Sequence, residues 1–196
     1  MRHRYPAAEV QETASPATVA APPFLLEMPR RFPSDEPMLD FDDYILPQDD
    51  LDWQEVLEEW AWILPQTPFE IWIVNRFADL FIVQDGDESV WMLDTSLGTF
   101  QQLAASRDEF VAMVENEENF REWFKVEAVD AMTALGQVPE PGQCYTYQRL
   151  PRLGGTFTTD NMAVTDIAVH LGMHGQILEQ IKDLPEGTVI NDVKMG

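Results

Sequence analysis

FEIWIVNRFADLFIVQDGDESVWMLDTSLGTF, residues 69–100, is the stretch on which the fold turns. It is rich in β-branched and aromatic residues, broken by turn residues, and so predicts three or four short strands. Ile71, Ile73 and Phe77, then Leu80 and Ile82, then Trp91 and Leu93 recur at spacings close to two. That period predicts a sheet with one covered face. Asp85-Gly86 marks a hairpin turn, because glycine reaches positive φ without steric cost. The stretch holds no nucleophile–base pair, phosphate loop or metal-ligand cluster. It reads as a binding scaffold.

Toward the N-terminus the chain turns acidic. Between Arg31 and Arg76 there are 12 acids and no base. Part of this run, DDLDWQEVLEEWAWIL (49–64), predicts a helix capped by Asp49 or Asp50 and stopped by Pro65. Trp53, Val56, Leu57, Trp60 and Leu64 share one apolar face; Asp52, Glu55, Glu58 and Glu59 occupy the back. The ordinary role is a core-facing stripe with a solvated acidic side. The sharper role, compatible with the first, is that Asp49, Asp50, Asp52, Glu55, Glu58 and Glu59 meet a basic partner. Trp62 points away from the apolar face and is the predicted exposed anchor among these acids. Residues 1–48 read as an extended Pro-rich acidic arm, and 49–196 as a single domain. Within the arm, residues 1–23 show no helical or strand period. PPFLLEMPRRFP (22–33) suits an extended segment lying on the domain, with a linear partner motif as the alternative.

Toward the C-terminus the period changes to helical. SRDEFVAMVEN (106–116) opens with a capping-box pattern of Ser106 and Glu109. FREWFKVEAVDAMTALG (120–136) predicts one helix ending at Gly136. GQCYTYQRL (142–150) reads as a strand, LGG (153–155) as a turn, and MAVTDIAVHLGMHG (162–175) as a strand running into a helix or bend. GQILEQIKDLPEGT (175–188) is helical until Pro185, and 188–190 would add an edge strand.

Composition narrows the function. The formal net charge is −23, from 35 acids and 12 bases. Phosphate backbones and anionic membranes are repelled by such a chain, and no basic cluster exceeds Arg30-Arg31. A basic protein partner is favoured over direct nucleic-acid binding; acidity serving only solubility is the alternative. No run is long enough for a membrane span, and the N-terminus lacks the apolar core of a signal peptide, so the expected location is cytoplasmic.

Three sets of residues bear on chemistry. Asp166, His170 and His174 lie four apart, and on a helix they would make a two-histidine, one-carboxylate set for Zn²⁺ or Fe²⁺. AVTDIAVHL alternates like a strand, however, and Gly172 and Gly175 would break continuity before His174. A histidine pair at the surface or core edge is therefore expected, with no metal and no cofactor. Cys144 is the single cysteine, with no neighbouring base to activate it, and reads as a buried structural thiol. Asn75 and Asp94 sit at strand ends, where local backbone hydrogen bonding is the simplest role.

IWIVNRFADLF (71–81), VWMLDT (90–95), PGQCY (141–145), LGG (153–155) and GQILEQIKDLPEGT (175–188) also occur together in one order elsewhere. In these strings, over roughly residues 51–190, the chain resembles a bacterial family, the C-terminal domain of type VI secretion immunity proteins. The resemblance implies a protein that neutralises a DNase effector. It also implies kinship with the SMI1/KNR4-like immunity superfamily. Two departures stand out. Ala78 takes the place where the family pattern has glycine before the aspartate, and a short Pro-rich extension stands where a longer N-terminal domain is usual.

The expected fold is α+β, a mainly antiparallel sheet with helices on one face and at its ends. The expected function is a non-enzymatic cytoplasmic inhibitor that binds a basic nuclease toxin. The rivals are a protein-interaction or assembly module of a phage or mobile element, and a metal-dependent enzyme using His170 and His174.

Overall fold

A computed structural model of the chain describes residues 41–48, 51–185 and 188. Residues 1–40, with the segment 22–33, lie outside the described residues, as do Asp49, Asp50 and the expected edge strand beyond Thr188.

The 69–100 block folds as an antiparallel meander of β1 (Phe69–Val74), β2 (Leu80–Gln84), β3 (Val90–Asp94) and β4 (Thr99–Ala104), in that spatial order. The register sets Ile71 against Ile82, Ile82 against Trp91 and Leu93 against Phe100. Gly86 takes φ +89° in the β2–β3 turn, as Asp85-Gly86 predicts. A bulge falls between Ile71 and Ile73, and Trp72 and Ile73 join the same side of the core.

The expectation of one covered face is corrected. Phe81, Val83, Val90 and Met92 face one apolar cluster, while Leu80, Ile82, Leu93 and Val74 face another. Both faces are buried, which is why LFIV reads as a continuous apolar run rather than a clean alternation. The first face is covered by α2 (Arg107–Val114), α3 (Glu117–Trp123) and α4 (Val126–Ala134). The second is covered by α1 (Trp53–Val56), a 3-10 turn (Glu58–Trp60) and α5 (Ile167–Ile181). A two-stranded ribbon of β5 (Gln143–Tyr147) and β6 (Met162–Asp166) closes one end of the sheet, with Tyr145 N donating to Arg76 O at 2.7 Å.

Three helix expectations change. The predicted 49–64 helix is only α1 plus the 3-10 turn, capped by Asp52, whose carboxylate accepts from Gln54 N and Glu55 N. Burial drives the change: Trp60 is fully enclosed beneath α5, its Nε1 donating to Leu171 O at 2.9 Å. So short a helix has little stability of its own to oppose that packing. The predicted 120–136 helix divides into α3 and α4 at Lys125, which takes φ +52°. The expected break near Gly172 and Gly175 does not occur. Asp166 ends β6 and caps α5 by accepting from Val169 N at 3.0 Å, and the helix continues through both glycines. Gly175 is required there for close approach, since a Cβ would come within 2.7 Å of both Cβ and O of Glu59. The Ser106 cap of α2 forms as its sequence predicts, Ser106 Oγ accepting from Glu109 N.

Residues 41–48 are part of this body. Phe41–Tyr44 is a 3-10 turn, and Ile45 bridges Asn75 beside β1. Phe41 and Tyr44 are buried against Phe120, and Phe41 also packs against Phe124.

Candidate functional site

The acidic face places its members unequally. Asp52 is exposed but committed to capping α1. Glu55 and Glu58 project to solvent. Glu59 is half-buried, its Oε1 accepting from Gln176 Nε2 at 3.0 Å, so it braces α5 rather than standing on the outer back. Asp49 and Asp50 lie outside the described residues. Trp62 is not a free anchor ringed by acids. It is half-buried and stacked on Trp60 (6.1 Å between centroids, 21° between planes), with Lys182 Nζ 5.2 Å from its ring centre. The stack takes up one aromatic face and the ammonium meets the π-cloud.

A second constellation lies at the end of the sheet where the β1–β2 and β3–β4 turns meet. Asp79, wholly buried, receives the ammonium of Lys125 at 2.7 Å, and Asp94 takes it at 3.2 Å. Asn75 supports the pair. Its Oδ1 accepts from Phe77 N and Asp79 N, and its Nδ2 donates to Asp79 Oδ2 and to Trp123 O. The left-handed backbone at Lys125, strained by roughly 1–3 kcal/mol for a non-glycine residue, lets the chain turn between α3 and α4 as this ammonium enters the site. Asp94 also accepts from Ser96 N and Leu97 N, so the local role expected of it is real but incomplete.

The network continues into α5. Thr95 N donates to Asp79 Oδ1, and Thr95 Oγ1 donates toward Asp79 Oδ1 and Phe77 O, both at 3.2 Å. Its hydroxyl proton being used, Thr95 Oγ1 accepts from His170 Nε2 at 3.0 Å. His174 Nδ1 donates to Thr95 O at 3.1 Å, leaving Nε2 to accept from Thr146 Oγ1 at 3.3 Å. Burial favours the neutral form of both; His170 Nδ1 has no hydrogen-bond partner among the described residues, and the two rings lie 3.9 Å apart. They are buried rather than at the surface or core edge (2% and 6% exposed) because they sit on the helix face toward the sheet, not on a strand.

Titration follows this burial. Desolvation, the neighbouring His174 and the Lys125 charge hold His170 well below its ordinary range. Desolvation is also the main cause for His174, lowered to about 4. Burial lifts Asp79 to about 6, against the opposing pull of Lys125. Burial alone would lower the Lys125 ammonium, but Asp79 and Asp94 together hold it above its usual range. Cys144 is buried as expected, and desolvation pushes its thiol well up, with Asp79 and Asp166 adding to the effect.

The sequence reading missed Asp79, Thr95 and Lys125. A signal was present in two of them. Asp79 interrupts the apolar FADLF, and Lys125 sits inside WFKV on an otherwise apolar helix pattern. Among the described residues, no three His, Cys, Asp or Glu side chains gather where they could hold a metal ion. Nor, among them, is any helix long and apolar enough to cross a membrane.

Residues 104–178 match the family model described as T6SS immunity protein Tdi1, C-terminal, the family that the sequence strings resemble. The matched span is narrower than the resemblance, covering α2 through most of α5 and leaving out β1–β3 and all of β4 but Ala104. No curated protein matches the chain. Among solved structures, the crystal structure of Atu4351 from Agrobacterium tumefaciens is similar at 16% identity and a TM-score of 0.43, over 63% of this chain. The chain spans 62% of the length of that protein.

Proposed function

We propose that this chain is a non-enzymatic immunity protein, acting in the cytoplasm, that binds and neutralises a cognate type VI effector with a basic nuclease surface. The observation that carries the reading is the match of residues 104–178 to the immunity family. The net charge of −23 supports a basic partner, since complementary fields speed encounter and suppress wrong pairings. Glu55 and Glu58 are the acids of the expected face that remain free to steer it; Asp52 and Glu59 are held by the fold. Inhibition is by occupying the effector's cleft. The histidine pair suits structure better than catalysis, because His174 uses both ring nitrogens within the fold and His170 is sealed from solvent.

Co-expression with the toxic product of a neighbouring gene tests the reading. Growth should be restored, and the two proteins should co-purify. Glu55→Lys with Glu58→Lys should slow association at low salt and flatten its salt dependence while leaving the fold intact. If no neighbouring product is toxic or co-purifies, the assembly-module reading takes its place.

A further inference from the structure

Phe157 is 61% exposed, a large aromatic ring left in solvent. It stands edge-on to buried Tyr147 at 5.5 Å and forms one wall of an open cleft of about 420 Å³ between α4 and the β5–β6 ribbon. Tyr147 and Met162 contribute apolar surface, and Arg121, Glu122 and Glu127 line its polar side.

The charges around the cleft are not balanced. Lys125 faces it but is neutralised by Asp79 and Asp94 behind. Arg121 is tied to Glu127 at 2.6 Å and to Glu117 at 3.3 Å. Glu122, on α3, lines the cleft and has no cationic partner among the described residues, and exposed Asp160, three residues after Phe157, lies outside the lining and accepts the Thr158 hydroxyl. An aromatic wall with the uncompensated carboxylate of Glu122 in the same lining suits a cation. A second copy of the chain would bring the same acids against themselves, which is unfavourable. Arginine fits better than lysine, since a planar guanidinium can stack on the ring and meet a carboxylate with two N–H groups at once.

We propose that this cleft receives an arginine side chain of the basic partner, stacked on Phe157 with its guanidinium directed to Glu122. The partner's identity rests on the immunity reading; the chemistry of the cleft does not. The site lies within residues 104–178 and is separate from the Glu55–Glu58 surface, giving the chain an anchoring surface distinct from its steering one.

The test is a titration of the full-length, nitrogen-15-labelled protein with a tetra-arginine peptide, and with tetra-lysine as control. Saturable shifts should centre on the amides of Ala128, Phe157, Thr158 and Thr159, with tetra-arginine binding tighter. Phe157→Ala and Glu122→Gln should each weaken binding by at least about fivefold without changing the rest of the spectrum. Phe157→Ala binding like the native protein, or shifts confined to residues 52–59, would overturn the proposal. Self-association abolished by Phe157→Ala would assign the face to a second copy and also overturn it. Toxin rescue lost with cleft binding intact breaks only the immunity reading; rescue intact with a silent cleft breaks only this one.

Discussion

The two faces of the four-stranded sheet are held by different physics. Toward α2, α3 and α4 the core is a lattice of rings. Phe81 stacks on Phe124 at 5.1 Å, Phe110 on Trp123 at 5.3 Å, and Trp72 meets Phe110 edge-on at 5.4 Å. Toward α5 the fully buried residues are mostly aliphatic around Trp60, with Trp62, Trp91 and Phe100 half-buried against them, and at the end of the sheet histidines and threonines join its turns. The Asp79–Lys125 pair fastens the two sides together, because Lys125 comes from the α3–α4 corner and Asp79 reaches α5 through Thr95. An aromatic lattice loses stability in proportion to what is removed. A buried polar network loses more than the contacts of the member removed, because its partners are left buried and unpaired.

The sharpest way to break this comparison is Lys125→Met. It keeps the bulk of the side chain but leaves Asp79 and Asp94 facing each other without a cation. The expected cost is about 3–5 kcal/mol, read as a fall in the urea midpoint. That would equal truncating a fully buried phenylalanine such as Phe110→Ala, also about 3–5 kcal/mol. The two should then part company. Adding Asp79→Asn and Asp94→Asn to Lys125→Met should recover part of the loss, whereas nothing polar can rescue the Phe110 cavity. If the triple variant is no more stable than Lys125→Met, the network does not behave as a unit.

A second, smaller effect is in the pH dependence. His170 and His174 are bases whose folded affinity for protons lies below the ordinary value of 6.5. As pH falls below 6.5 the unfolded chain takes up protons that the folded chain refuses, so stability is lost on acidification, until about pH 4 for His174. Asp79 works the other way. Burial raises it from 3.8 to about 6, so its contribution is fully present below 3.8 and is lost as pH rises through 6. With two groups against one, these residues together should make the fold less stable as pH falls below 6. His174→Gln should cancel most of this loss. Urea midpoints at pH 7 and pH 5, compared between native protein and variant, give the answer; equal falls in both would remove His174 from the linkage.

The smallest test concerns Ala78. It lies buried at φ +57° in the β1–β2 turn. Ala78→Gly relieves left-handed strain but gains freedom in the unfolded chain, so the net should be a stabilisation of no more than about 1 kcal/mol. A clear drop in melting temperature would mean that the methyl group's packing outweighs the strain.

Much of the first face could be read from the sequence. Strand positions, the Asp85-Gly86 turn and the Ser106 cap all depend on neighbours within a few residues, and they formed as read. The second face could not be read in the same way. AVTDIAVHL alternates because its strand half pairs with β5 and its helix half turns His170 and Leu171 inward, two patterns that overlap at Asp166. Trp62 looked like a free anchor because a helical wheel assumed a helix that Trp60 interrupts in order to reach Leu171.

The sequence by itself determined the meander, the helices that cover it, the acidity and the family resemblance, since each is carried by local composition or short-range spacing. Only the tertiary structure decided that both sheet faces are covered, that the helix breaks at Lys125, and that His170 and His174 are buried and neutral. Those outcomes rest on partners far apart in the chain: Lys125 with Asp79, Thr95 with His170, Gly175 with Glu59. A lysine or histidine in a sequence is silent about its charge state and backbone angle. The carboxylate, hydroxyl or carbonyl that folding brings to it sets both.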